Sequence, residues 1–273
     1  MLFARTPEVS GGQAELLVHD LDTGTTTFLG MTAGRYPQGM ARPVKMIRDG
    51  LGAVYSVGAL LGEALYLTTG PGEPVPLPCP RSADYLFPCD RFDVDEAGAT
   101  VVLAAEGQAY RIDVASGRRT LLNPETEDVE RIHTSLNDIR ISRDGTAMTC
   151  SWMYSDPGDV RDLDGLARAS AGAAAVYPTD VVLPNGFGRR HEPIRISADG
   201  RTILYQQRTV YDIEEGDHLR VLDVDHGEWY DVAAGLTPDG VDLADAEMAD
   251  NGSLVVMPYD DEEEGAVLAQ RLR

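Results

Sequence analysis

A turn motif recurs five times along the chain at intervals of about fifty residues. Each copy is a short alternating run followed by a polar turn that closes on glycine; the closing glycines are Gly50, Gly98, Gly145, Gly200 and Gly252. The intervals between them are 48, 47, 55 and 52 residues. Asp-Gly and Asn-Gly between alternating runs are strong hairpin signals, because glycine accepts a positive φ. The repeat therefore predicts a series of similar antiparallel units.

Each closing glycine is followed by further strand-like runs. An apolar run comes first, as at residues 100–104 and 202–206, and another alternating run then ends in a second glycine turn, as at residues 112–117 and 222–227. Residues 18–24 match this second turn. A period of two predicts half-buried strands rather than helices. Four strands per repeat are typical of a propeller blade, so the predicted fold class is all-β, a β-propeller.

The number of blades follows from the ends of the chain. Five four-stranded blades are predicted in one domain over residues 1–273, with the ring closed by N- and C-terminal strands. The span from Gly252 through the C-terminus and on to Gly50 exceeds one repeat but falls short of two. Residues 15–20 and 266–272 both look like third strands, so six blades, one of them incomplete, remain the alternative.

Two copies of the turn carry a Ser-x-Asp-Gly sequence, at residues 142–145 and 197–200. In these copies the repeat resembles the TolB/PD40 class of propeller repeats. The other three copies depart from that pattern at the Ser or the Asp. The resemblance implies the fold and no particular activity.

The chain is strongly acidic, with 45 acidic and 23 basic residues and a net charge of −22. Such a charge repels nucleic-acid phosphates and anionic lipid, so neither nucleic acid nor a membrane surface is an expected partner. No apolar run approaches the length of a membrane span. No basic and apolar leader opens the sequence, so the expected location is the cytoplasm.

Three cysteines occur, at positions 79, 89 and 150. An odd and sparse count indicates reduced thiols rather than a disulfide framework. Cys79 and Cys89 flank one proline-rich connection, and their pairing is left open as the alternative.

The connections that lead into the five inner strands are predicted to lie on one face and to be long. They are residues 30–43, 78–91, 123–138, 184–193 and 235–245. Long and chemically varied loops at one end of a rigid scaffold are the usual place for a binding site. An insertion on the same face, residues 154–172, is predicted to be a lid with a short helix at 162–171. A disordered surface loop is the other interpretation.

One charged residue from each inner strand occupies the same register: Lys45, Asp93, Arg140, Arg195 and Glu247. In a propeller this register would face the central channel. The set is either a solvated ring of ion pairs or the polar floor of a funnel that binds a carboxylate or phosphate. Lys45 is the only lysine in the chain and is a candidate base or nucleophile.

Further candidates precede the inner strands: Arg91, Asp138, Asp245, Arg190, His133 and His191. His133 and His191 are predicted to converge over the channel mouth near carboxylates. Histidine with carboxylate supplies general acid–base chemistry or a divalent metal site. No cofactor is otherwise expected, and a divalent metal is the alternative.

Two hypotheses about function follow. The first is a propeller that binds a small polar or anionic molecule and transforms it as a lyase, isomerase or hydrolase, with Lys45, His133 and His191 as the catalytic candidates. The second is a non-catalytic scaffold for a protein or peptide partner. The chain has no Gly-x-Ser-x-Gly elbow, no phosphate-binding P-loop and no Cys-x-x-Cys motif. The sequence therefore leaves open whether the protein is an enzyme.

Overall fold

The structure is a computed structural model. It describes residues 2–5, 13–20, 22–32, 44–47, 51–59, 62–70, 72–80, 89, 91–105, 107–122, 133–155, 162–174, 176, 181–184, 189–209, 218–232, 246–261 and 264–271. The chain divides into two compact units, described here one at a time. Unit 1 is Met1–Ala105 with Tyr110–Thr120, and unit 2 is Glu106–Ala109 with Leu121–Arg273.

Unit 1 consists of antiparallel sheets built from strands that are consecutive in the chain. The first sheet contains β1 (Leu2–Arg5), β2 (Glu15–His19) and β3 (Thr26–Met31). The second contains β4 (Val44–Ile47), β5 (Gly52–Ala59), β6 (Gly62–Thr68) and β7 (Val75–Leu77). The third contains β8 (Arg91–Val94), β9 (Thr100–Ala105), β10 (Gln108–Asp113) and β11 (Arg118–Leu121), and the ends of β10 and β11 extend into unit 2.

Unit 2 repeats the same construction three more times. The fourth sheet contains β12 (His133–Ile141), β13 (Ala147–Ser155), β14 (Asp162–Ser170) and β15 (Val181–Pro184). The fifth contains β16 (Arg189–Ile196), β17 (Thr202–Thr209), β18 (His218–Asp223) and β19 (Glu228–Asp231). The sixth contains β20 (Glu247–Met248), β21 (Leu254–Asp261) and β22 (Glu264–Arg271). The all-β prediction is confirmed.

The core lies between the faces of successive sheets within each unit. In unit 1 the largest cluster joins the second and third sheets through residues that include Ile47, Leu65, Phe92 and Leu103. In unit 2 the fourth and fifth sheets share Ala147, Leu166, Ile203 and Leu222, and the fifth and sixth share Leu204, Val221, Met248 and Val255. Burial of each large apolar side chain contributes about 1.5–3 kcal/mol, so this face-to-face packing drives the assembly of the sheets.

The Ser-x-Asp-Gly turn is held together by its own side chains. In the fifth sheet, Ser197 Oγ donates to Asp199 Oδ1 at 2.7 Å, and the same oxygen accepts the Arg201 N–H at 3.0 Å. Ser197 Oγ also accepts the Thr202 N–H at 2.9 Å. These bonds satisfy the backbone donors that enter β17, so the Ser and Asp of the repeat are the acceptors that a tight turn requires.

Copies that depart from the repeat keep an equivalent acceptor. In the third sheet Asp95 stands at the Ser position, and its Oδ1 accepts the Ala99 N–H at 2.7 Å. In the sixth sheet Asn251 stands at the Asp position, and its Oδ1 accepts the Ser253 N–H at 3.0 Å. The turn therefore keeps a side-chain acceptor for its backbone N–H groups in copies whose residues depart from the repeat.

The closing glycine of the turn meets two requirements at once. Gly200 has φ +70°, which a residue with a Cβ adopts only with strain. A Cβ on Gly200 would also lie 2.7 Å from the Cβ of Ala147 in the fourth sheet. Gly252 repeats this relation, because its Cβ would lie 2.7 Å from Thr202 Oγ1 in the fifth sheet. The glycine thus sets how closely a turn approaches the preceding sheet.

The ends of the chain differ from the sequence prediction. The N-terminal strands β1–β3 pair with one another, and the C-terminal strands β20–β22 do the same. Within the described residues neither sheet takes a strand from the other end of the chain. The reason is β1, a four-residue strand that the repeat analysis missed and that gives the N-terminus its own innermost strand.

Residues 162–170 form strand β14 rather than the helix predicted for the insertion. The segment pairs with β13 over nine consecutive residues, from Ala147–Ser170 to Ser155–Asp162. Its alanines and leucines favour a helix in isolation, but pairing and burial of Leu166 and Ala167 against neighbouring strands override that propensity. Residues 156–161, which also belong to the predicted lid, lie outside the described residues.

Cys79 and Cys89 form a disulfide, with their Cα atoms 6.3 Å apart. The expectation that all three thiols are reduced is therefore corrected, and the open alternative of a Cys79–Cys89 pair is confirmed. Both residues belong to the core cluster of the second and third sheets, which brings them within bonding reach. Cys150 is a buried free thiol.

A matched pair of glycine variants tests the double role of the turn. Gly227 has φ +66° but nothing within 4 Å of a Cβ, so Gly227→Ala should lower the unfolding free energy by about 1 kcal/mol through strain alone. Gly200→Ala should lower it by about 2–4 kcal/mol, because overlap with Ala147 adds to the strain. Urea unfolding measures both. Equal losses would show that the turn does not limit the approach of the two sheets.

The Asp199 turn makes a pH-dependent contribution to stability. The hydrogen bond from Ser197 and that from the Arg201 N–H hold the pKa of Asp199 below its ordinary value. A lowered pKa stabilises the folded state above the unfolded-state pKa, about 3.9, and this stabilisation is lost as the pH falls through the folded-state pKa. Asp199→Asn should therefore be less stable than wild type at pH 7, and the gap should narrow below pH 4. A gap in urea unfolding that stays constant down to pH 3 would contradict this.

Loss of the disulfide should destabilise unit 1. A cross-link over ten residues restricts the unfolded chain by roughly 3 kcal/mol, so the Cys79→Ser/Cys89→Ser double variant should unfold at lower urea concentration than wild type. Dithiothreitol should produce the same loss in wild type and none in the double variant, which is the control. If reductant destabilises both proteins equally, the effect does not come from this bond.

Candidate functional site

The five charged residues of the inner strands occupy equivalent positions in their ladders. Each pairs with the residue nine positions later in the neighbouring strand. The pairs are Lys45 with Val54, Asp93 with Val102, Arg140 with Thr149, Arg195 with Leu204, and Glu247 with Val256. The common register inferred from the sequence is therefore present in the structure.

In unit 1 the register brings Lys45 to Asp93. The Lys45 Nζ lies 3.9 Å from Asp93 Oδ1 and joins β4 to β8. The Asp93 side chain is 2% exposed, whereas that of Lys45 is 32% exposed. A buried carboxylate needs a nearby cation or hydrogen bonds, so Lys45 acts here as a counter-ion. This contact favours the ion-pair interpretation of Lys45 over that of a nucleophile.

In unit 2 the register brings Arg195 to Glu247 across the fifth and sixth sheets. Arg195 Nε donates to Glu247 Oε2 at 2.6 Å, and Arg195 Nη2 donates to Glu247 Oε1 at 3.0 Å. The two side chains are 33% and 60% exposed, so solvent reaches this two-bonded pair. Their neighbours Ile196 and Met248 are buried. The strand therefore turns its apolar residues into the core and its charges towards solvent.

Arg140 is held by backbone carbonyl groups. Its Nε donates to the carbonyl of Ile194 at 3.1 Å, and its Nη1 donates to the carbonyl of Ile139 at 2.9 Å. The first bond links β12 to β16, so Arg140 joins the fourth and fifth sheets as Arg195 joins the fifth and sixth. Each of these arginines contributes to inter-sheet contact as well as to the charge of the register.

The turn ends of the inner strands in unit 2 come close together. Arg143 Nη1 lies 2.8 Å from Asp250 Oδ2, and the Ala198 N–H donates to the Asp250 carbonyl at 2.7 Å. One aspartate of the sixth sheet thus contacts the turns of both the fourth and the fifth. The turn ends of the fourth, fifth and sixth sheets are therefore held together through Asp250.

Both candidate histidines lie in strands rather than in the connections where the sequence prediction placed them. His133 is the first residue of β12, and nothing is described of its side chain. His191 is the third residue of β16; it is 2% exposed, and its ring lies 5.4 Å from that of Tyr205. Because β16 lies against three strands of the fourth sheet, His191 is enclosed between sheets.

A buried polar cluster surrounds His191 on the fifth sheet. Gln207 lies directly opposite His191, and Arg220 lies opposite Tyr205. Arg220 Nε donates to Asp231 Oδ1 at 2.7 Å, and its Nη1 donates to Gln207 Oε1. Burial, with a further contribution from the Asp231 charge, raises the pKa of Tyr205 to about 12. The cluster fixes these side chains by mutual contacts.

Sequence reasoning missed Tyr205, Gln207, Arg220 and Asp231. A signal for them exists in the sequences of β17 and β18. Residues 205–208 of β17 are Tyr, Gln, Gln and Arg, and β18 places polar residues at 218 and 220 between apolar ones. Such a polar stripe on a strand predicted to be central is typical of a buried network or a binding surface.

The remaining predicted site residues are not brought to one level. Arg91 is exposed at the start of β8, and Asp245 lies outside the described residues. Asp138 adopts φ +45° at a bulge between Asn137 and Arg140, and a second bulge separates Pro193 from Arg195. Each bulge adds one residue, so the alternation of side chains before the bulge is out of step with that of Arg140 in β12 and of Arg195 in β16.

No helix that is long and apolar enough to cross a membrane occurs in the described ranges. In the same ranges no three His, Cys, Asp or Glu side chains form a group that would hold a metal ion.

No protein-family model matches the chain, and no curated protein matches it in sequence. Solved structures match it in fold. The β-propeller domain of the Trilobed protease from Pyrococcus furiosus, described by its open velcro topology, aligns over 98% of this chain and 77% of its own, with 10% identity and a TM-score of 0.58. Prolyl oligopeptidase B from Galerina marginata, bound to a 35mer hydrolysis and macrocyclization substrate, aligns over 97% of this chain with 12% identity and a TM-score of 0.54.

This chain spans only 39% of the length of that oligopeptidase. At such identities the likeness concerns the fold alone. The neighbours are propeller domains, so the propeller part of the sequence prediction is confirmed, while the TolB/PD40 subclass stays a prediction. The fold of this chain is that of a β-propeller.

Proposed function

We propose that this protein is a β-propeller scaffold that binds a small polar or anionic molecule beside the charged residues of its inner strands. The observation that carries the proposal is the exposed, two-bonded Arg195–Glu247 pair. An arginine held in this way presents its guanidinium in a fixed orientation, which is the geometry that carboxylate and phosphate groups bind best.

Two contacts of Asp250 and the register of the two arginines support an entry from the long-loop end. Asp250 draws the turns of the fourth and fifth sheets together at the other end of the inner strands. Arg140 and Arg195 lie beyond those turns, at one ladder register. A ligand that reaches this register from the long-loop end meets two guanidinium groups and one carboxylate, a set that suits a polar molecule with an anionic group.

The number of blades, the repeat subclass and the location of the protein belong to the same proposal. The six sheets correspond to six blades of the TolB/PD40 type, in place of the five that the repeat count favoured. The protein works in the cytoplasm without a cofactor or nucleic acid. Binding rather than a specific reaction is what the contacts support, since Lys45 contacts Asp93 and His191 is enclosed.

A second candidate function is a scaffold for a protein or peptide. The outermost strand of the fifth sheet, β19, is exposed along its whole length and carries Trp229 and Tyr230, which are 46% and 52% exposed. Exposed aromatic residues on an outer strand are typical of protein-binding surfaces. This function requires no small molecule at the inner strands, so one experiment separates the two candidates.

Thermal unfolding in the presence of succinate, malate and citrate tests the first function. At least one of these anions should raise the melting temperature of wild type in a concentration-dependent way, because a ligand that binds only the folded state stabilises it. Arg195→Gln should abolish most of that shift, since it removes the positive charge and the remaining guanidinium donors that would receive the anion.

Arg201→Gln is the matched control. Arg201 is an exposed arginine of the same sheet, on the turn side, and its Nε lies 3.3 Å from Asp225 Oδ2. This variant should keep the full shift. If no anion stabilises wild type, or if the two variants respond alike, the inner strands are not the binding site and the scaffold function is favoured.

A further inference from the structure

Two arginines face each other across the long-loop end of the fifth sheet. Arg190 of β16 pairs in register with Arg208 of β17, so their side chains leave the same face of the ladder. Directly opposed residues of an antiparallel pair have Cβ atoms about 4.5–5.5 Å apart, and like charges at such positions repel. Arg190 is exposed, and the Arg208 side chain is 47% exposed.

The next pair on the same face of the ladder, Glu192 and Gln206, orients Arg208. Glu192 pairs with Gln206, and Gln206 is only 5% exposed. The Arg208 Nε lies 3.3 Å from Glu192 Oε2, and its Nη2 lies 3.5 Å from Gln206 Oε1. These contacts hold the Arg208 guanidinium beside the Glu192–Gln206 pair. The site is therefore organised before any ligand arrives, which lowers the entropy cost of binding.

The three charged side chains of this group differ in sign from the chain as a whole. Arg190, Arg208 and Glu192 together carry one net positive charge, whereas the chain carries −22. Two directly opposed cations repel each other, and an anion that bridges them relieves this repulsion. A single group that bridges two guanidinium forks must offer several oxygens in different directions, which a tetrahedral phosphate does and a planar carboxylate does less well.

We propose that Arg190 and Arg208 form a binding site for a phosphoryl group, either inorganic phosphate or the phosphate of a monoester. The site is distinct from the inner-strand register, because Arg190 precedes Arg195 by five residues, about 16 Å along an extended strand. It does not depend on the function proposed above. If both sites are occupied by one molecule, that molecule carries a phosphate at the long-loop end of the fifth sheet.

Isothermal titration calorimetry with inorganic phosphate and with glycerol 3-phosphate tests the site, and acetate and succinate serve as the carboxylate comparison. All proteins in this test carry Arg195→Gln, so that anions bound at the inner strands do not contribute. Both phosphates should bind this parent protein, and both more tightly than the carboxylates. Arg190→Gln and Arg208→Gln should each weaken phosphate binding about tenfold or more, because each removes charge-assisted hydrogen bonds. Binding of inorganic phosphate alone would identify the free anion as the ligand rather than a monoester.

Arg201→Gln again supplies the control, and it matches Arg208 closely. Both arginines belong to the fifth sheet, and both have Nε 3.3 Å from a carboxylate oxygen. Arg201→Gln should change phosphate affinity less than twofold. Because Arg190 is exposed, its variant should fold even if Arg208→Gln does not, which circular dichroism verifies. Unchanged phosphate affinity in Arg190→Gln, or carboxylates that bind as tightly as phosphate, would overturn the proposal.

Discussion

The left-handed glycine that closes the inner-strand turns at Gly98, Gly145, Gly200 and Gly252 is the constraint on which the packing of the sheets depends. It permits a tight hairpin, and its missing Cβ lets the turn lie against the preceding sheet, as Gly200 does at Ala147 and Gly252 at Thr202. Gly98 has the same relation to Ile47 in unit 1. The closing glycine, which is a turn signal in the sequence, is therefore also the contact that sets the spacing between sheets. This second role explains why the glycine is kept where the neighbouring Ser or Asp is replaced.

Several polar contacts that join strands are made by arginine. The protein has 23 basic residues, of which Lys45 is the only lysine. A guanidinium is planar and offers several donors in fixed directions, so it can hold two acceptors at once. Arg195 does so with a carboxylate, Arg140 with two carbonyls, and Arg220 with Asp231 and Gln207. In a strongly acidic chain the few cations are thus concentrated where strands of different sheets, or distant strands of one sheet, must be joined.

The sequence was sufficient for features that repeat. The all-β class, the glycine turns and the shared register of Lys45, Asp93, Arg140, Arg195 and Glu247 all follow from an alternation that local chain geometry enforces. Features that occur once were not predictable. Strand β1 has only four residues, β14 has a composition that suits a helix, and the Cys79–Cys89 bond depends on a contact between elements that no local pattern reports. The polar cluster around Arg220 was visible as a stripe but required the sheet pairing to become a network.

The bulges at Asp138 and before Arg195 divide β12 and β16 into two stretches. A shift of one residue in a strand normally moves every side chain to the other face. Here the bulge absorbs such a shift before it reaches the turn half, where Arg140 and Arg195 join neighbouring sheets. The loop half can therefore gain, lose or exchange residues while the turn half stays packed. Evolution or protein design can change what this end of the scaffold recognises at little cost to folding.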